Sequence, residues 1–174
     1  MAYKIIEIKA SCNNHDYIRY LLKSKNASFI GLDHQIDIYF NISHGRLKLR
    51  KGNIENNLIY YERENQVGPK LSKPILFKSN KKPELEEILT KSLGVLIVVD
   101  KIREIYFIEN IKFHLDNVKN LGSFVEIEAI NQEGRFSEEK LLEQCKEYMS
   151  LFKIQEKNLI SGSYGDLLLK KLNK

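Results

Sequence analysis

Five stretches of this chain put charged and apolar residues on opposite faces of a strand, and that repetition limits the fold more than any other feature. At period two, Glu7 and Lys9 oppose Ile6, Ile8 and Ala10 in "IEIKA", and Arg46, Lys48 and Arg50 oppose Leu47 and Leu49 in "RLKLR". Lys101 and Arg103 oppose Ile102 in "KIREIYF". Lys112, His114 and Asp116 oppose Phe113 and Leu115 in "IKFHLD". Glu126 and Glu128 oppose Val125, Ile127 and Ala129 in "FVEIEA". One such strand is an ordinary sheet, wet on one side. Five together suffice to line a barrel with charge and leave its apolar exterior to be covered by helices, and about eight strands can enclose one small ligand.

The remaining pattern fits that frame. Helices are expected over 13–28, 83–93, 137–154 and 164–172, where apolar residues recur at helical spacing behind Asn, Pro or Ser start signals. Further strands are expected over 34–41, 58–64 and 72–79, the first pairing with "GRLKLRKG" across the turn "ISHG". Tyr39 and Phe40 read as barrel wall. The fold class is therefore α+β, a mostly antiparallel arrangement whose charged faces are numerous enough to close into a barrel, with a few flanking helices. With 174 residues, 43% hydrophobic, and no repeat or proline-rich linker, a single domain over 1–174 is expected.

A net charge of +5 and a pI near 9.0 suit an anionic partner. Cys12 and Cys145 match no disulfide scaffold or metal pattern, and no segment offers ~20 consecutive apolar residues, so neither export nor membrane spanning is expected and a cytosolic location follows. Because the basic residues read as facing inward, nucleic acid is not an expected partner. Lysines and arginines confined in a barrel are costly unless an anion neutralises them, and a triphosphate does so. Arginine forks and lysine point charges both suit its phosphoryl oxygens. Glu126 and Glu128, ~7 Å apart on one side of a strand, can lean toward one hard cation such as Mg2+ or Mn2+.

The ordered set of motifs resembles the CYTH superfamily, the triphosphate tunnel metalloenzymes. The amino-terminal "IEIK" is similar to the family's Glu-x-Glu-x-Lys, with Ile5 where the first Glu is expected. "QIDIYFNISHGRLKLR" resembles its second and third strands, "LIYYERENQVGPKLSKP" the segment that follows in a bacterial branch, and "SYGDLL" its closing motif. "HLDNVKNLGSFVEIEA" resembles the class IV adenylyl cyclase branch most of all. The resemblance implies a closed eight-stranded antiparallel β-barrel tunnel with a charged interior, and metal ligation by Glu7, Glu126 and Glu128, with Asp116 completing the metal site or orienting a lysine. It implies phosphate binding by Lys9, Lys48, Arg50, Arg63, Lys101, Arg103 and Lys112, with Lys9, Arg50 and Arg103 as the catalytic cations. His114 is placed toward substrate and Lys70 on a mobile loop at the mouth. The implied reaction is ATP to cyclic AMP and pyrophosphate. Hydrolysis of inorganic, nucleoside or thiamine triphosphate is the first alternative, and triphosphate binding without catalysis, because of Ile5, is the second. Assembly as a homodimer is left open.

Overall fold

Period-two alternation along nine stretches of chain produces one continuous antiparallel sheet. The structure is a computed structural model that describes residues 4–132 and 134–173. Tyr3, read as the first residue of the first strand, lies outside the described residues. The strands are β1 (Lys4–Ser11), β2 (Ser28–Phe40), β3 (Arg46–Lys51), β4 (Asn56–Tyr61), β5 (Lys70–Ser72), β6 (Ile75–Lys78), β7 (Val95–Ile108), β8 (Ile111–Val118) and β9 (Gly122–Asn131). Four helices, α1 (His15–Ser24), α2 (Pro83–Leu93), α3 (Glu138–Leu151) and α4 (Tyr164–Leu172), complete the fold. The strands lie in the order β5-β1-β9-β8-β7-β2-β3-β4-β6.

The fold class is α+β as expected, but among the described residues the barrel is not closed and the strand count is nine. The single strand expected over 72–79 divides at Lys73 and Pro74. Only its first residue, Ser72, belongs to β5, which pairs with β1, and Ile75–Lys78 form β6, which pairs with β4. Among the described residues no ladder joins β5 to β6. Pro74 has no backbone N–H and restricts the residue before it, so a ladder cannot run through this point. The sheet therefore curls into an open half-barrel whose two edges are joined by a two-residue link. The first helix also ends earlier than expected, at Ser24. Asn26 takes a left-handed conformation with φ 55°, which stops the helix and releases the chain into a long β2.

The apolar strand faces lie outward, under the helices. Ile6, Ile8, Phe113, Leu115, Val125 and Ile127 pack beneath Ile18 and Leu22 of α1 and Leu141, Cys145 and Tyr148 of α3. Leu85, Leu89 and Leu93 of α2 cover Ile38, Phe40 and Leu49, so Phe40 belongs to the outer core. Tyr164 and Leu168 of α4 pack instead on Tyr39, Val99 and Phe124, which share the phase of Asp37, Lys101 and Glu126, so α4 closes one end of the inner face. Each fully buried Leu, Ile or Phe contributes about 1.5–3 kcal/mol, enough to force the opposite, charged faces inward. Helix starts are fixed as the sequence suggests: the Ser137 side chain accepts from Lys140 N, and Ser163 and Asp166 form a reciprocal capping box. Both cysteines are free. No helix among the described residues is long and apolar enough to cross a membrane.

Candidate functional site

The inner face of the curl encloses a cavity of about 130 Å³. Strand β1 sends in Ile5, Glu7 and Lys9, β3 sends Lys48 and Arg50, β7 sends Lys101 and Arg103, β8 sends Lys112 and His114, and β9 sends Glu126 and Glu128. Glu55 from the turn after β3, Arg63, just past β4, and Tyr164, at the start of α4, also line it. The structure thus gathers into one cavity every site residue expected from the sequence except Lys70 and Asp116.

The cations are paired rather than free. Buried Asp37 on β2 accepts from Arg50 Nε at 2.8 Å and Nη2 at 2.9 Å, from Lys101 Nζ at 2.7 Å and from Lys48 Nζ at 3.0 Å. Burial pushes this carboxyl up, but Arg50, Lys101 and Lys48 hold it well below the usual range. Burial pushes Lys101 down to about 7 against the pull of Asp37. On the opposite wall Glu126 accepts from Arg103 Nη2 at 2.9 Å and lies 3.1 Å from Lys9 Nζ. Behind it, Asp116 accepts from Arg103 Nε at 2.7 Å, Arg103 Nη2 at 2.6 Å and the Tyr164 hydroxyl at 2.7 Å. Lys9 Nζ also sits 3.9 Å from the centre of the Tyr164 ring.

Seven basic side chains line the cavity against four carboxylates, Glu7, Glu55, Glu126 and Glu128, and Asp37 and Asp116 stand just behind. The interior is therefore close to balanced, not the cationic excess read from the five strands. Asp37, Glu55 and Tyr164 escaped the sequence reading. A signal existed for Asp37, because Asp33, Gln35, Asp37 and Tyr39 follow period two along β2.

Three groups could hold a metal ion together: ligand atoms of His114, Glu126 and Glu128 all lie within 4.8 Å of one another. His114 Nδ1 is 3.0 Å from Glu126 and 3.7 Å from Glu128. Burial, reinforced by Arg103, holds the His114 imidazole below its usual range. Glu7 stands opposite Glu128 in the β1–β9 register, but its carboxylate is engaged by Arg63. Asp116 orients Arg103 instead of joining the three-residue group.

Two further placements matter. Arg63 donates one nitrogen to Glu7, while its buried Nε and Nη2 have no partner. Lys70, expected on a mobile loop at the mouth, is buried in β5 outside the cavity. Its ammonium donates to Ser161 O at 2.8 Å and Ile160 O at 3.2 Å, pinning the segment that leads into α4. Burial, with Arg63 and Lys9 nearby, pushes Lys70 down to about 7. Ile5, only 6% exposed, forms an apolar corner with Pro74 and Leu76.

A family model for the CYTH domain matches residues 4–164. A Methanocaldococcus jannaschii protein provisionally named an adenylate cyclase is 31% identical over 181 aligned positions, covering 93% of this chain and 97% of that protein. The structure of a Pyrococcus horikoshii protein matches with a TM-score of 0.78 at 26% identity, over 94% of this chain and 98% of that one. A Hippeastrum protein, described as a candidate adenylyl cyclase with a dominant triphosphatase activity, shares the fold. Its TM-score is 0.63 at 13% identity, covering 100% of this chain and 97% of that one.

Proposed function

The chain belongs to the CYTH domain family, and from that premise we propose that it acts as one unit binding a nucleoside triphosphate with a divalent cation, converting ATP to cyclic AMP and pyrophosphate. The observation that carries the reading is Arg63: a buried guanidinium in the cavity wall with two unpartnered nitrogens asks for an anionic oxygen. The charge balance supports a metal as well. Seven basic groups against six carboxylates leave one surplus positive charge, too little to neutralise a triphosphate alone. The carboxylates of Glu126 and Glu128, whose oxygens gather with a His114 ring nitrogen within 4.8 Å, fit a hard divalent cation such as Mg2+ or Mn2+.

In this reading Glu126, Glu128 and His114 hold the cation, with Glu7 across the register from Glu128. When bound, the cation offsets charge on the phosphoryl oxygens and on the departing pyrophosphate. Arg63 and Lys9 grip the phosphates, while Arg103, fixed by Asp116, and Arg50 and Lys101, fixed by Asp37, present oriented positive charge. The ribose 3′-hydroxyl attacks the α-phosphorus and gives its proton to solvent water as the bond from the α-phosphorus to pyrophosphate breaks, the electron pair leaving with pyrophosphate. No side chain acts as a nucleophile.

Support for the cyclase lead is the provisional name of the M. jannaschii relative. The second reading is a triphosphatase, in which water attacks the terminal phosphorus; the Hippeastrum protein of the same fold is described with that activity. Non-catalytic binding is favoured only by the apolar corner at Ile5. The test is incubation of the purified protein with ATP and Mg2+ or Mn2+, with all products resolved. Cyclic AMP with equimolar pyrophosphate supports the lead, and orthophosphate the second reading. Tight tripolyphosphate binding without turnover supports the third, and neither binding nor turnover defeats all three.

A further inference from the structure

One carboxylate in the cavity is placed with more care than a counter-ion needs. Residues 52–55 turn between β3 and β4, and buried Asp33 on β2 fixes that turn by accepting from Ile54 N at 2.9 Å and Glu55 N at 3.0 Å. Gly52 sits so close to this anchor that a Cβ there would lie 2.6 Å from Glu55 O and 2.7 Å from Asp33 Oδ1. Held in this way, the turn points the Glu55 side chain into the cavity. Its carboxylate accepts from Arg50 Nη1 at 2.9 Å, from Gln35 Nε2 at 3.0 Å and from Lys112 Nζ.

Three donors from β3, β2 and β8 thus converge on one anion, the arrangement that a phosphoryl oxygen requires. The other two Arg50 nitrogens are committed to Asp37, which leaves Nη1 as the donor turned to Glu55. Burial raises the Glu55 carboxyl, but Arg50 and Lys112 more than reverse this and keep it ionised.

We infer that Glu55 is a built-in competitor of the ligand: its carboxylate occupies a phosphoryl-oxygen seat between Arg50 and Lys112, and a polyanion must displace it to engage both cations. The inference rests on the triphosphate reading of the cavity. Its consequence is selectivity. A lone orthophosphate gains too few new contacts to offset the three it breaks, whereas a triphosphate reaches the remaining cations as well. The turn stays pinned by Asp33 while only the side chain rotates, so displacement does not require refolding.

The test is calorimetric titration of the full chain with tripolyphosphate and, separately, orthophosphate, in the presence of Mg2+. Glu55→Gln is expected to tighten tripolyphosphate binding about tenfold and to make orthophosphate binding measurable, since each freed charged hydrogen bond is worth at least that factor. Glu55→Ala should act in the same direction. Adding Lys112→Met to Glu55→Gln should remove most of the gain, which a merely structural role for Glu55 would not produce. If wild type binds tripolyphosphate and both Glu55 variants bind it equally or more weakly, the competitor role is overturned while the triphosphate reading stands. If both variants fail to fold, Glu55 is a structural pin and the inference falls. If no form binds, both are overturned; if only the Glu55 variants bind, the competitor role is supported.

Discussion

Replacing Ile5 with glutamate tests whether a cation belongs beside β1. Ile5 is 6% exposed, so the substitution forfeits about 2 kcal/mol of apolar burial. The new carboxylate enters a corner lined by Ser72, Pro74 and Leu76 and desolvates there at a cost of roughly another 1–3 kcal/mol. A metal-free loss of about 3–5 kcal/mol follows, or a melting temperature lowered by roughly 6–20 °C at about 2–4 °C per kcal/mol for a chain of this size. The same carboxylate lies ~7 Å along the strand from Glu7, on the cavity side, where it can add a ligand to a cation. Because wild type gains from the cation as well, the deficit shrinks only by the difference in affinity, about 1.4 kcal/mol for each tenfold tightening. Thermal melts of wild type and Ile5→Glu, each with chelator and with millimolar Mg2+ or Mn2+, read both effects. The expected result is a large deficit in chelator that shrinks by about 1–2 kcal/mol with metal, accompanied by roughly tenfold tighter metal binding. A deficit identical in the two conditions refutes the placement of the cation.

Three other outcomes are expected. Tyr164→Phe removes the hydroxyl that donates to buried Asp116 and should cost about 1–3 kcal/mol in urea denaturation, while an unchanged midpoint contradicts the role given to that bond. Lys70 sits at about 7 in the folded chain against about 10.4 when unfolded, so between these values the unfolded chain holds the extra proton. Stability should therefore rise with pH through that window, the penalty being complete below about 7. Lys70→Met should flatten the rise when stability is measured from about pH 6.5 to 9, and an unaltered slope counts against it. Gly52→Ala should destabilise by about 1–3 kcal/mol, because the added Cβ meets the Asp33 carboxylate and the Glu55 carbonyl, and wild-type stability would show that the turn is not held as described.

Much of the molecule was legible wherever local pattern and tertiary placement agree. Helices α2 and α4 begin and end at 83–93 and 164–172, where apolar spacing and local start signals place them. The inward set from Glu7 to Glu128 follows from period two because helix packing buries the opposite faces. What escaped depends on distant partners. Whether β5 and β6 form one strand or two is decided by which edges Lys70 and Ile75 meet, although Pro74 signals the break. Lys70 follows a Gly68-Pro69 turn and reads as loop, yet its pairing opposite Glu7 draws it into the sheet. Glu55 has no periodic signature, since Asp33, more than twenty residues earlier, sets its direction through the backbone. The charge balance differs from the five-strand reading because Asp37 lies on β2, outside those five stretches, and pairs with Lys48, Arg50 and Lys101.

The most direct measurement is anomalous diffraction from crystals grown with Mn2+ and tripolyphosphate. The account predicts a manganese peak bonded to both Glu126 and Glu128, with a phosphoryl oxygen of the same ligand against the free nitrogens of Arg63. A tripolyphosphate bound elsewhere, or a cavity that remains empty of both at saturating concentrations, would contradict it.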